Sequence, residues 1–158
     1  MLSHLRSVIV ERLSQNDPVA IAQTIVIDVD SFPTPSRTLD VRPFERVLIA
    51  RVPAEGRVVG FALARWQKPE AYIERFAVDR GCRRQGIGRS LLRGLIGAAV
   101  EAEAVKTLAL HVSVSNVAAV ALYRAEGFQV GSLSRAFYRS GLFDRDGDAY
   151  EMRMRLSG

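Results

Sequence analysis

The densest chemistry in this chain lies in one short stretch, Arg83-Arg84-Gln85-Gly86-Ile87-Gly88-Arg89-Ser90-Leu91-Leu92, which follows an apolar run ending at Val78. A strand that feeds a glycine-rich loop into a helix start makes an anion site. The first N–H groups of a helix have no partner within it, and the helix dipole adds positive potential there. Gly86 and Gly88 remove side chains from the path of a phosphate, while Arg84 and Arg89 can add charge-assisted contacts. From Arg75 to Arg93 there are six arginines against one acid, Asp79, a field that attracts a polyanion. Two phosphate-binding patterns fail here. A dinucleotide fingerprint needs a third glycine where Leu91 stands, and a nucleotide loop needs a lysine where Arg89 stands. Nucleic acid ranks last as a ligand, because Arg80 to Arg93 carries no aromatic side chain on which a base could stack.

A second segment adds to the first. Ser113-Val114-Ser115-Asn116 leads into Val117-Ala118-Ala119-Val120-Ala121-Leu122-Tyr123-Arg124-Ala125-Glu126, then Gly127-Phe128. Asn116 and Tyr123 are seven residues apart and so share one helix face. Ala119 lies between them and is small enough to let a cofactor arm pass. Taken alone, Asn116 would serve equally as a helix cap and Tyr123 as a core aromatic.

With both segments in order, the Arg-x-x-Gly-x-Gly loop and the Asn…Tyr…Gly-Phe helix resemble the GNAT acyltransferase superfamily, firmly from about Tyr72 to Phe128. Within it the pattern is similar to the ribosomal-protein-alanine N-acetyltransferases. The features shared are Asp30-Ser31-Phe32-Pro33, Arg84-Gln85-Gly86-Ile87-Gly88-Arg89, and Arg135-Ala136-Phe137-Tyr138. There is one departure: that branch has a basic glutamate in Leu-Glu-Val, and this chain has Leu110-His111-Val112. The resemblance implies an acetyl-CoA-dependent N-acetyltransferase that moves acetyl directly onto a primary amine, with no acyl-enzyme and no metal. Phe76, Ala77 and Val78 would offer backbone groups to the pantetheine arm. Arg83, Arg84, Gln85, Gly86, Ile87, Gly88 and Arg89 would hold the pyrophosphate. Asn116, with Ala119, would meet the pantetheine, and Tyr123 would be the general acid for the leaving thiolate. The implied acceptor is a peptide or protein N-terminal amine, with a polyamine or aminoglycoside as the alternative. A non-catalytic acyl-CoA sensor is a further alternative, although a pure binder has no need of Tyr123.

An ammonium cannot attack a thioester, so the site benefits from a base. Two residues qualify. Glu74 shares a face with Phe76 and Val78 if strand alternation holds, and burial there would raise its pKa. His111 stands where the related branch has its glutamate, and an imidazole titrating near about 6.5 suits the task. The plainer readings are a salt bridge for Glu74 and a hydrogen-bonded core histidine for His111.

The elements that must position these groups follow from hydrophobic periodicity and turn signals. Strands are expected at 8–13, 46–52, 57–66, 71–78, 106–114, 128–133 and 150–156. Helices are expected from Pro18 to about Val29, from the Gly86–Gly88 loop to about Glu103, and from Asn116 to Glu126, stopped by Gly127. Leu91, Leu92, Leu95 and Ile96 form the buried stripe of the second helix. Residues 36–44 are expected as a loop or short helix, and Asp144-Arg145-Asp146-Gly147-Asp148 as a hairpin turn, since it lacks the glutamate of a calcium loop. The fold class is mixed α/β (α+β): a largely antiparallel sheet of about seven strands flanked by helices. The 158 residues, 48% hydrophobic and 25% charged, suit a single domain over 1–158. No targeting signal or membrane-length apolar run is visible, so a cytoplasmic location, monomer or homodimer, is expected. The lone Cys82, though flanked by arginines, is expected as a small loop residue and not a nucleophile.

Overall fold

The computed structural model describes residues 7–32, 45–134 and 147–157. The expected loop at 36–44, the Arg135–Tyr138 feature, Pro33, and Asp144 to Asp146 of the polar turn fall outside them. The order is β1 (Ile9–Arg12), α1 (Pro18–Ser31), β2 (Glu45–Val52), β3 (Arg57–Gln67), β4 (Glu70–Val78), α2 (Ile87–Glu101), β5 (Thr107–Ser113), α3 (Val117–Ala125), β6 (Gln129–Ser134) and β7 (Ala149–Arg155). Each expected strand and helix is present within a few residues. One element the sequence reading did not anticipate is a short 3₁₀ turn at Arg80–Cys82, which carries Cys82 into the core.

The seven strands form one sheet in the order β1-β2-β3-β4-β5-β7-β6. Every neighbouring pair is antiparallel except β4 with β5. A parallel pair needs a crossover, and α2 supplies it. The four parallel pairs run from Glu70↔Thr107 to Ile73↔Leu110, and there the pairing stops. β4 continues to Val78 against β3 alone, while β5 continues to Ser113 against β7 alone. The two strands therefore part like the arms of a V.

The larger core lies between the sheet and α2 with α3, where Leu91, Leu92 and Leu95 are fully buried beside Leu108, Leu110 and Met152. Ile96 only borders it. Each such leucine contributes about 1.5–3 kcal/mol by leaving water. The smaller core lies under α1, which packs on β3 and β4 through Ala20 and Ile27 against Phe61, Leu63 and Ala77. Asp17 caps α1 by accepting from the Ala20 N–H at 3.0 Å, and Pro18 opens the helix. No helix among the described residues is long and apolar enough to cross a membrane.

The end of α3 fixes where β6 begins. Gly127, at φ +110°, lets the Phe128 N–H reach the Tyr123 carbonyl (2.9 Å) and its own N–H reach that of Arg124 (3.1 Å). This double bond pattern closes the helix and turns the chain. A Cβ at Gly127 would be strained by that φ and would meet Met154 Sδ at 3.2 Å. Gly127→Ala is therefore expected to lose about 1–3 kcal/mol of stability, read as a lower urea midpoint with an unchanged m-value.

Candidate active site

The V between β4 and β5 is a cleft of about 550 Å³. Its walls are residues 73–78 of β4, residues 110–113 of β5, Asn116, Ala118, Ala119, Leu122 and Tyr123 at α3, Arg83 of the loop, and Ser31 and Phe32 at the end of α1. Of the residues expected at the site, it gathers Glu74, Phe76, Ala77, Val78, Arg83, His111, Asn116, Ala119 and Tyr123. The edge of β4 that faces β5 loses its strand partner after Ile73. Backbone groups in that position need other hydrogen-bond partners, and an extended amide-bearing chain would supply them.

Of the loop, Arg83 lines the cleft, whereas Arg84, Gln85, Gly86, Ile87, Gly88 and Arg89 lie outside its lining. Arg84 (φ +63°) and Gly86 (φ +76°) both adopt left-handed backbone, which folds successive N–H groups toward a common centre. α2 begins with no side-chain cap and no acid in its first turn, whereas Asp17 and Asn116 cap the other two helices. Ile87 is buried in the core and Gln85 turns its amide inward, so each offers the loop its backbone. A Cβ on Gly88 would point at Phe76, Val78 and Leu122, at 3.5–3.7 Å. At those distances a methyl would make ordinary van der Waals contact, and a larger side chain would meet β4 and α3.

The basic field is partly neutralised from within, two carboxylates serving three of its six arginines. Arg75 pairs with Asp28 (2.7 Å), Arg80 donates to the Asp30 carbonyl, and Arg83 to the Val78 carbonyl. Arg89 and Arg93 both hold Glu126. A phosphate contact from Arg89 would thus compete with Glu126. Arg84 is exposed at the loop.

The plainer readings of the α3 residues hold, and both residues also face the cleft. Asn116 caps the helix through Oδ1, accepting from the Ala119 N–H at 3.2 Å, and also lines the cleft. Tyr123 is only 6% exposed, packed edge-on against Phe76 and Phe128, and also lines the cleft.

The expected alternation around Glu74 does not hold. Leu63 pairs with Arg75 and Ala64 with Ile73, so Glu74 is an extra, unpaired residue in a β-bulge. The bulge turns Ile73, Phe76 and Val78 toward the α2 side, and Glu74 is bound instead by Arg65. It does not share a face with Phe76 and Val78. His111 lies on the α1 face of β5, where its Nδ1 is 2.5 Å from the Tyr72 hydroxyl. Burial holds the imidazole below its ordinary 6.5, with Glu151 raising it and Arg153 lowering it further. It is neutral at pH 7 and able to accept a proton. Tyr72 was missed from sequence because a parallel register cannot be read from alternation. Arg75 on Asp28, stacked 4.7 Å from the Phe32 ring, was missed because the bulge and the packing of α1 on β4 set that contact.

The sequence pattern of the Acetyltransferase (GNAT) family matches residues 19–128. The chain belongs to that family. It is 37% identical over 108 residues to the [Ribosomal protein bS18]-alanine N-acetyltransferase of Escherichia coli (strain K12), covering 68% of this chain and 72% of that one. It is 40% identical over 103 residues to the N-alpha-acetyltransferase RimI of Mycobacterium tuberculosis, covering 62% and 60%. The crystal structure of the ribosomal-protein-S18-alanine N-acetyltransferase from Escherichia coli superposes with a TM-score of 0.81 at 27% identity, over 96% of this chain and 97% of that one. This acetyltransferase therefore has its family's fold, and its open β4 edge and uncapped α2 fit a long amide chain ending in phosphates.

Removing one hydroxyl isolates the Tyr72–His111 bond. Tyr72→Phe is expected to lower kcat about tenfold, the worth of one such bond, while calorimetry finds coenzyme A affinity unchanged.

Proposed function

We propose that this enzyme transfers acetyl from acetyl-CoA directly to the α-amine of a protein N-terminus, with His111 as general base and Tyr123 as general acid. The observation that carries the reading is the placement of His111, bonded to Tyr72 and lining the same cleft as Tyr123, with burial holding its imidazole below the ordinary value. Acetyl-CoA supplies an activated acetyl group as a thioester. Phe76, Ala77 and Val78 on the open edge of β4, with Asn116, would orient its amide-bearing arm. The Arg83–Arg89 loop and the first N–H groups of α2 would bind its phosphates.

His111 acts at the other end. The role requires the tautomer in which Nδ1–H donates to the Tyr72 oxygen, which leaves Nε2 as the basic atom that takes a proton from the acceptor ammonium. The Tyr123 phenol then gives its proton to the departing sulfur. Glu74 is the weaker candidate because Arg65 already binds its carboxylate.

Acid–base balance also favours an α-amine. A chain-terminal ammonium titrates near about 7.7–8.0 and a lysine ammonium near about 10.4. A base held below 6.5 faces a small uphill transfer from the first and a large one from the second. The substrates named for the two bacterial relatives agree with that choice.

A panel of peptides, lysine peptides with blocked N-termini, polyamines and aminoglycosides, assayed with acetyl-CoA and read by mass spectrometry, tests this. Free N-termini are expected to exceed blocked lysine peptides in kcat/KM by roughly 300-fold, the ratio of their neutral fractions. Acetylation of a polyamine or aminoglycoside but of no peptide overturns the acceptor. His111→Gln is expected to remove the acidic limb of the pH–rate profile, and retention of that limb overturns the base.

A further inference from the structure

Four adjacent strands place polar side chains together on the sheet face that carries α1. Tyr72 of β4 bonds His111 of β5. Glu151 of β7 is the direct cross-strand partner of His111, and Ser132 of β6 is the partner of Glu151, its hydroxyl donating at 3.4 Å. Directly opposed antiparallel residues keep their Cβ atoms about 4.5–5.5 Å apart on one face. Leu110, Val112 and Met152 alternate into the opposite core, which confirms the shared face of His111 and Glu151.

The charges around this row are shared unevenly. Glu74 is matched by Arg65, and Arg75 by Asp28. Arg153, however, is shared by two carboxylates: its Nη1 bonds Glu70 at 2.5 Å and its Nε bonds Glu151. Glu151 therefore has only a share of that guanidinium, and the next cation on its face, Arg155, lies two residues further along β7 from His111. Among the described residues, Tyr72 bonds the imidazole and Tyr123 lines the same cleft.

We infer that Glu151 is a positioning residue for the base: its carboxylate, across the strand from His111, is the counter-charge for the imidazolium formed when Nε2 takes the acceptor's proton. This rests on the reading of His111 as base. In that step an ammonium N–H bond breaks, the Nε2–H bond forms, and the imidazolium later gives its proton to solvent. A cation born in a half-buried site is costly unless an anion stands near it. Glu151 offsets that cost, and Arg153 limits how far. The imidazole responds in those directions, raised by Glu151 and lowered by Arg153, and His111 in turn lowers Glu151.

The test is NMR titration of the histidine ring protons, resolvable because the chain holds only two histidines, run beside kcat/KM–pH profiles. Glu151→Gln is expected to lower the His111 pKa by about half a unit to one unit and to move the acidic limb with it, while lowering the plateau rate. Arg153→Gln is expected to shift both the other way. Glu151→Asp, which keeps the charge, should restore the wild-type values and separates charge from packing. If Glu151→Gln leaves the His111 pKa unmoved while His111→Gln still removes the limb, the inference fails and the base stands. If the NMR pKa moves but the kinetic limb does not, and His111→Gln retains that limb, the base reading fails and the role of Glu151 falls with it.

Discussion

Two parallel strands that pair for four residues and then separate govern this molecule. Hydrogen bonding holds β4 and β5 together from Glu70 to Ile73 and from Thr107 to Leu110, and nothing continues it. Past that point each strand leans on its outer neighbour, so the sheet keeps its strength while its centre opens. The opening sets what faces what. One wall is a bare strand edge, the other carries His111, and α3 brings Asn116 and Tyr123 across the floor. The crossover that makes the strands parallel is α2, so its uncapped N-terminus lies at the same opening. The bare strand edge, the uncapped helix start and the cleft lined by His111 and Tyr123 are thus consequences of one break in pairing.

The bulge at Glu74 is the local device that goes with that break. One extra residue in β4 lets Phe76 and Val78 turn to the helix side, while Arg75 and Ala77 reach the α1 side. Arg75 then meets Asp28, which is 1% exposed, and stacks on Phe32. The end of α1, which forms the far wall of the cleft, is therefore held by the strand that forms its near wall. Breaking that buried pair would leave an uncompensated charge, a larger loss than the pair's own net worth.

Much of this was legible in the amino-acid order, and the rest has a common physical cause. Elements follow from local periodicity and turn chemistry, so the seven strands, the three helices and the Gly127 stop were readable. The loop was readable because Gly86, Gly88 and the arginines are adjacent in sequence. Side-chain partners were not. Alternation predicted the face of Glu74 wrongly because a bulge depends on how β3 and β4 pair, which no single strand records. His111 was legible as a candidate, but Tyr72 and Glu151 lie 39 and 40 residues from it and meet it only through strand register. The arginine cluster was legible as a basic field, but its carboxylate partners, Asp28 and Glu126, lie on other elements and were not.

The four-pair seam has a consequence for how the molecule breathes. β1 to β4 form one antiparallel run, and β5, β7 and β6 another, each zipped along its own length. Between them the ladder is short, and helix packing does much of the joining. Cooperative units of a fold open where the fewest bonds must break. Amide exchange at 70–73 and 107–110 would therefore report on separation of the two halves, ahead of global unfolding. A ligand lodged in the V would add the missing rungs, and its binding would slow that exchange from a distance.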